Sequence, residues 1–288
     1  MTSYIGVDIG GTKIHAARIN KAGKILDERF LDTEARKGKK HVLARIMLII
    51  SELISKDVKG IGIGCPGPLD IKKGKVLNTP NLPLRNVELK DIVAKKFRMK
   101  VVLDNDASCF VLGEAVYGAG KGFGVVAGVT MGTGIGGGIV INRKIFSGRN
   151  SAGEFGHMTI NFGGIKGKDG HIGCLESYVG KFAIIERAKK IGFENPYELY
   201  KAAIEGNKKA REIWNDVGFY LGIGISNVLC AVDPEVVVVG GNVAGAWQFF
   251  NAEMKRAIKK KSVVGMPLVV KSKLGSKAAV LGAAKLVM

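Results

Sequence analysis

Asp104, Asn105 and Asp106 stand in a row where a short apolar run, Lys100-Val101-Val102-Leu103, hands over to a stretch with Phe110, Val111, Leu112 and Ala115 at helical spacing. Two carboxylates and an amide at such a junction have two uses. They accept hydrogen bonds from hydroxyl groups, and one carboxylate can take up a proton. They also cap the following helix, because Asp and Asn are favoured N-caps. Ligands of open α/β sheets gather beyond the carboxyl ends of strands, so the two uses are compatible here.

Two glycine-rich turns suit a different ligand. Asp8-Ile9-Gly10-Gly11-Thr12-Lys13 joins one predicted strand to the next, and so does Thr130 to Gly138, which contains Gly132-Thr133-Gly134. Glycine brings backbone N–H groups close to a ligand with no Cβ in the way, which fits a phosphate. Neither turn is a Rossmann loop, which needs a helix after its glycines, nor a Walker A loop, which ends in Gly-Lys-Ser or Gly-Lys-Thr. Asp8 is placed to hold a hydrated Mg²⁺. A bare hairpin is the alternative for the first turn and backbone crowding for the second, where the Thr133 hydroxyl between glycines favours the phosphate. Strand, glycine turn and strand thus occur twice, which suggests two duplicated halves facing one cleft.

Other polar candidates lie further on. Glu154 and His157 share a turn-like segment, Ser151 to His157. A Gly- and Lys-rich loop from Asn161 to Gly173 precedes Cys174-Leu175-Glu176, which opens a helix expected to reach about Ile191. Asp233 to Asn242 reads as a buried strand ending in Gly240-Gly241, with room for an adenine against bare backbone.

The elements that position these residues are predicted from periodicity. Strands to Phe30 form an antiparallel meander. A helix covers His41 to Ile54, a strand Gly60 to Gly64, and a rigid turn Cys65 to Leu69. Asn78 to Pro83 is an irregular loop, and Val87 to Phe97 is a helix. Gly118 to Gly124 is a candidate interdomain hinge, followed by strands at Val125 to Val129 and Ile139 to Ile141. Helices are expected at Tyr197 to Glu205, Lys208 to Val232, Trp247 to Lys260 and Ala278 to Val287.

Composition narrows the class. The 288 residues are 47% hydrophobic and 24% charged, as in an ordinary folded chain of one large or two medium domains. No apolar run reaches the roughly 18 residues of a membrane span, and no signal peptide is visible, so no membrane partner is expected. Cys65, Cys109, Cys174 and Cys230 are scattered, which points to a reducing, cytoplasmic setting. The net charge of +19 is dispersed over clusters such as Lys37 to Lys40, Lys95 to Lys100 and Lys255 to Lys261, in which Phe97 is the one aromatic and no series of stacking platforms is formed. It reads as a Lys-rich surface attractive to anions, without a nucleic-acid motif.

Taken together, Asp8-Ile-Gly-Gly-Thr-Lys13, Leu103-Asp-Asn-Asp-Ala107, Gly132-Thr-Gly-Ile-Gly-Gly-Gly138, Glu154-Phe-Gly-His157, Cys174-Leu-Glu176 and Asp233-Pro-Glu with Gly240-Gly241 resemble the ROK family of sugar kinases and sugar-responsive repressors. The resemblance runs along essentially the whole chain. It implies an α/β fold of two actin-like (ribonuclease H-like) domains with an interdomain cleft: residues 1–118, residues 119–275, and a C-terminal helix at about 276–288 packing back on the first. It implies ATP-dependent phosphorylation of a hexose, glucose first, with Asp106 as general base. Asn81, Asn105, Glu154, His157 and Glu176 join Asp106 on the sugar hydroxyls. Asp8, Gly10, Gly11, Thr12, Lys13, Gly132, Thr133 and Gly134 lie at the phosphates with Mg²⁺, and Gly241 and Asn242 near the nucleoside. A homodimer is implied as well.

The chain departs from the family at its zinc motif. Of the His and three Cys ligands only His157 and Cys174 remain, in a segment reading Gly167-Lys-Asp169-Gly-His171-Ile-Gly-Cys174. Asp169 and His171 are ligand types that could complete a tetrahedron, but the expectation is a zinc-free loop. Fructose, an N-acetylhexosamine, polyphosphate as donor, and a non-enzymatic sugar-responsive regulator are the alternatives. A repressor needs a DNA-binding domain, and none is expected ahead of a first strand beginning near Tyr4.

Overall fold

The computed structural model describes residues 2–167 and 170–288. The chain divides into two compact units, one of Met1–Gly122, Gly138–Ala152 and Lys273–Met288, the other of Phe123–Gly137 and Gly153–Ser272.

The first unit begins β1 (Ser3–Ile9), β2 (Lys13–Asn20), β3 (Ile25–Asp32) and α1 (Lys39–Ser51). It continues through β4 (Val58–Cys65), a small hairpin of β5 (Leu69–Asp70) and β6 (Lys75–Val76), α2 (Leu89–Phe97), β7 (Val101–Asn105) and α3 (Asp106–Tyr117). The meander expected from the two turns is present: β1 to β3 pair antiparallel, while β1, β4 and β7 run parallel. The apolar stripe of α1, Val42, Ile46, Ile49 and Ile50, is fully buried in the core beside Ile5, Val7, Ile61 and Ile63.

The second sheet runs through β8 (Val125–Met131), β9 (Ile135–Ile141), β10 (Lys144–Ile145), β11 (Val236–Gly240) and β12 (Leu268–Lys271). Its helices are α4 (Glu176–Val179), α5 (Lys181–Lys189), α6 (Pro196–Ile204), α7 (Lys208–Val232) and α8 (Trp247–Lys261), and α9 (Ala278–Lys285) belongs to the first unit. The sheets have the orders β3-β2-β1-β4-β7 and β10-β9-β8-β11-β12. Each sheet thus runs third, second, first, fourth, fifth in the order of its own strands, so the duplication suggested by the two glycine turns extends to topology.

Glycine placement explains how the first unit closes. A Cβ at Gly6 on β1 would stand 2.0 Å from the Val280 carbonyl oxygen, and one at Gly62 on β4 would stand 1.7 Å from that of Ala283. Gly113 on α3 is equally close to Ala278, at 2.0 Å. Only bare backbone lets α9 lie this near to the sheet and to α3.

Four features differ from the sequence reading. β12 was not anticipated; its four residues follow Pro267 and form a parallel edge on β11. Gly136 to Gly138 lie inside β9 instead of its preceding turn, because a Cβ at Gly137 would meet the Gly153 carbonyl at 2.4 Å. The helix from Glu176 breaks at Gly180, which is extended at φ −68 and ψ 157. Finally, α7 is long and apolar enough to cross a bilayer by length and composition. It packs instead on α8, where a Cβ at Gly218 would stand 2.3 Å from the Phe250 carbonyl.

Candidate functional site

In the first unit the parallel strands align their carboxyl ends. Asp8 pairs in register with Gly64, Gly64 with Asp104, and Cys65 with Asn105. Asp106 is then the first residue of α3, and Asn105 is its N-cap. The Asn105 Oδ1 accepts the Ser108 N–H at 3.1 Å, with Asn105 held extended at φ −67 and ψ 143. This satisfies one of the helix's unpaired donors and fixes where Asp106 emerges. Asp104 is buried beneath, accepts the Asn105 N–H at 2.7 Å, and has its carboxyl pushed up to about 6 by desolvation.

Asp8 is the more perturbed carboxylate. Desolvation, with the Asp106 charge adding to it, raises its carboxyl from 3.8 to about 7. The cause is local: Asp8 is the next-to-last residue of β1, between Val7 and Ile9, both fully buried. A carboxylate so placed favours a proton or a cation over standing charged alone. The thiols of Cys65 and Cys109, buried beside these carboxylates, are pushed well above the ordinary range and stay protonated.

The first glycine turn is held by a residue that sequence reading missed. The Thr33 hydroxyl donates to the Gly10 carbonyl at 2.7 Å, and its N–H donates to the Thr12 carbonyl at 2.8 Å. Gly11 lies against the loop carrying Asn81, where a Cβ would stand 3.0 Å from the Asn81 Cβ. That loop is shaped by Thr79, whose hydroxyl reaches the carbonyls of Leu82 at 2.7 Å and Leu84 at 3.1 Å. The structure therefore brings Asn81 to the glycine turn. Lys13 is exposed, its Nζ 5.6 Å from the centroid of the Phe30 ring.

In the second unit the polar candidates converge on the start of β9. The Glu176 Oε2 accepts the Ile135 N–H at 2.7 Å. A Cβ at Gly134 would stand 2.2 Å from that oxygen, so the carboxylate and the turn Gly132 to Gly134 fit only because residue 134 is glycine. Thr133 at the tip is exposed, and the Gly132 N–H donates to the Gly134 carbonyl at 2.9 Å. Glu154 precedes and His157 ends a single helical turn, Phe155–His157, with Glu154 Oε2 and His157 Nε2 4.0 Å apart and both side chains about half exposed. Buried Phe155 anchors that turn, and Gly156 lies where a Cβ would stand 2.3 Å from the Ile135 carbonyl.

Gly241 follows β11 with φ 85, a conformation that favours glycine, and a Cβ there would stand 2.4 Å from the Met131 carbonyl. Gly240 pairs in register with Thr130, so Gly241 and exposed Asn242 lie beside the end of β8 that leads into the second glycine turn.

At the degenerate zinc motif the Cys174 Sγ donates to the His157 carbonyl at 3.4 Å. Among the described residues no three His, Cys, Asp or Glu side chains cluster as metal ligands. Asp169, one of the four residues that could complete a tetrahedron, lies outside the described residues.

Two sheets of the same strand order, each with a glycine turn at the ends of its central strands, define an α/β protein of the actin-like ATPase class. The chain superposes on the crystal structure of a ROK family glucokinase from Streptomyces griseus in complex with glucose and AMPPNP, with a TM-score of 0.85, 30% identity, and coverage of 99% of this chain and 98% of that one. This chain belongs to the ROK family, whose sequence pattern matches residues 4–288. Among curated relatives it is 34% identical to a glucokinase of Thermotoga maritima, over 98% of this chain and 96% of that protein. It is also 32% identical to a xylose repressor of Caldicellulosiruptor bescii, over 99% of this chain and 78% of that protein.

Proposed function

We propose that this protein is a hexose kinase that transfers the γ-phosphoryl group of ATP to a hydroxyl of glucose. The observation that carries the reading is the Asn105–Asp106 junction, where Asn105 caps the helix and the Asp106 carboxylate, which accepts the Ala107 N–H at 2.9 Å, stands at the first turn of α3 beside Asp8.

In this reading Asp106 accepts the proton of the attacking hydroxyl as the new O–P bond forms and the bond to the β-phosphate breaks, releasing ADP. A loose phosphoryl transition state asks little of the base beyond aiming the nucleophile. Asn81, Asn105, Glu154, His157 and Glu176 hold the remaining hydroxyls, a set of acceptors and donors suited to a polyol. The backbone at Gly10 to Thr12 and Gly132 to Gly134, with the Thr133 hydroxyl, faces the phosphates. Lys13 supplies positive charge nearby, and Gly241 and Asn242 face the nucleoside.

Bound Mg²⁺ would neutralise charge on the phosphoryl oxygens. The raised carboxyl of Asp8 fits that role, because a cation relieves the cost that burial and Asp106 impose on its ionised form. No zinc-dependent step is part of the reading. We place the reaction in the cytoplasm and take the active form to be a homodimer.

A coupled ADP-release assay on the purified protein, crossing glucose, fructose, xylose and N-acetylhexosamines with ATP, GTP and polyphosphate, tests the proposal. Glucose with ATP and Mg²⁺ is expected to give the highest kcat/KM. Turnover of fructose but not glucose would overturn the substrate, and polyphosphate turnover without ATP turnover would overturn the donor. The xylose-repressor relatives make a non-catalytic sugar-binding regulator the second reading. Calorimetric sugar binding with no turnover of any pair would favour it.

A further inference from the structure

The loop between Thr159 and Cys174 connects two proposed sugar ligands, His157 just before it and Glu176 just after it. Several of its apolar side chains face solvent. Phe162 is 94% exposed, and Ile165 and Ile172 are 53% and 50% exposed. Backbone pairing closes its base. The Leu175 N–H donates to the Met158 carbonyl at 2.9 Å, and Gly173 accepts from Ile160 at 2.8 Å while donating to Ile165 at 2.8 Å.

One side chain reaches into this frame from the helix that bears Glu176. The Tyr178 hydroxyl accepts the Ile165 N–H at 2.9 Å. A Cβ at Gly164 would stand 1.8 Å from that hydroxyl, so the approach requires glycine. Tyr178 is only 4% exposed, and its ring lies 4.4 Å from that of Tyr220, tilted by 41°. Its carbonyl accepts a hydrogen bond from the Arg187 guanidinium. The hydroxyl is thus presented by a side chain held at its ring and at its backbone.

Resting on the reading of this chain as a hexose kinase, we infer that Tyr178 is a positioning residue that braces the Thr159–Cys174 loop and thereby sets His157 and Glu176 for the sugar. It touches neither sugar nor nucleotide. It holds the loop at Ile165, whose carbonyl in turn accepts the Gly173 N–H beside the Cys174 end, and a misplaced ligand weakens binding of a polyol held by several hydroxyls. The brace is a tyrosine hydroxyl in the same loop where the family places its zinc cysteines.

Tyr178→Phe keeps the ring and removes only the hydroxyl. It is expected to raise the sugar KM by roughly three- to tenfold, the range for one lost hydrogen bond, with kcat and the ATP KM within about twofold of wild type. Amide exchange at Ile165 is expected to quicken. Gly164→Ala, which drives a methyl into the same contact, should reproduce both effects, while Tyr197→Phe, at an exposed position on α6, should produce neither. Unchanged exchange at Ile165, or a fall in kcat with an unchanged sugar KM, would overturn the inference. Wild-type protein that phosphorylates no hexose would instead overturn the kinase reading, and the exchange comparison would still decide whether the brace exists.

Discussion

The Glu176 carboxylate accepts the Ile135 N–H at 2.7 Å, and this ties a proposed sugar ligand to the first residue after the second glycine turn. The turn and the carboxylate are therefore in direct contact. Gly134→Ala should separate them, because its methyl would stand 2.2 Å from the accepting oxygen. The expected outcome is a loss of about 1–3 kcal/mol in chemical denaturation together with a raised sugar KM. Stability and KM both matching wild type would show that the contact has slack.

Asp106→Asn removes the proton acceptor while keeping size and the junction with Asn105. A general base contributes about 10²–10⁴ in rate, so kcat should fall by that factor while the calorimetric Kd for the sugar stays close to wild type. Near-normal turnover would remove Asp106 from the proposed role.

Asp8→Asn should act on stability with a definite sign. The Asp8 carboxyl is raised from 3.8 unfolded to about 7 folded, so the folded chain binds the proton more tightly. Wild-type stability from this group is greatest below pH 3.8 and is lost as pH rises towards about 7. The amide carries no such penalty. The Tm difference, variant minus wild type, should therefore grow between pH 4 and 8, by at most about 4 kcal/mol in free energy, while turnover is lost. A difference that is flat with pH would mean that Asp8 ionises in the fold as it does in water.

Gly241→Ala combines two costs. The residue sits at φ 85, and its Cβ would stand 2.4 Å from the Met131 carbonyl. A destabilisation of about 1–3 kcal/mol is expected from the backbone alone, with the ATP KM raised more than the sugar KM. An effect confined to the sugar KM would contradict the nucleoside placement.

Glu114 on α3 is fully buried and accepts backbone N–H groups from Ala119 at 2.7 Å and Leu274 at 2.8 Å. Glu114→Gln turns an acceptor-only group into one that must point donors at donors. Unfolding free energy should fall by about 1–3 kcal/mol, read by urea titration. An unchanged midpoint would indicate that the amides find other partners.

Much of the frame was legible in the sequence because it rests on local signals. The bounds of α7, Lys208–Val232, follow from apolar periodicity, and Asn207 caps it by accepting the Ala210 N–H at 3.0 Å. The strand–turn–strand at Gly10 and the start of α3 follow from alternation and capping chemistry in the same way. What was missed depends on partners distant in sequence. The triple glycine in β9 looked like a turn, yet it is bare because Gly153 and Phe155 press on Gly137, and Ser108 lies 2.9 Å from where a Cβ of Gly138 would be. β12 is too short to show a period and exists through its pairing with β11. Thr33 and Tyr178 carry no pattern at all. A threonine that pins a turn from 21 positions beyond Thr12, or a tyrosine that braces a loop, declares itself only once the chain has folded.

The groove of Gly6, Gly62 and Gly113 that receives α9 bears on the order in which this chain is made. The strand bearing Asp8 leaves the ribosome before the second unit, but the helix that packs against it belongs to residues 273–288 and follows that unit. Glu114 likewise waits for Leu274. The second unit, apart from its opening segment at Phe123–Gly137, is continuous from Gly153 to Ser272 and can complete its core while the first still has an open seam. Domains usually mature in order from the N-terminus; here the first unit begun is the last to close. The burial that raises the Asp8 carboxyl is then completed late in synthesis, and a nascent chain would carry Asp8 and Asp106 before the core around them is closed.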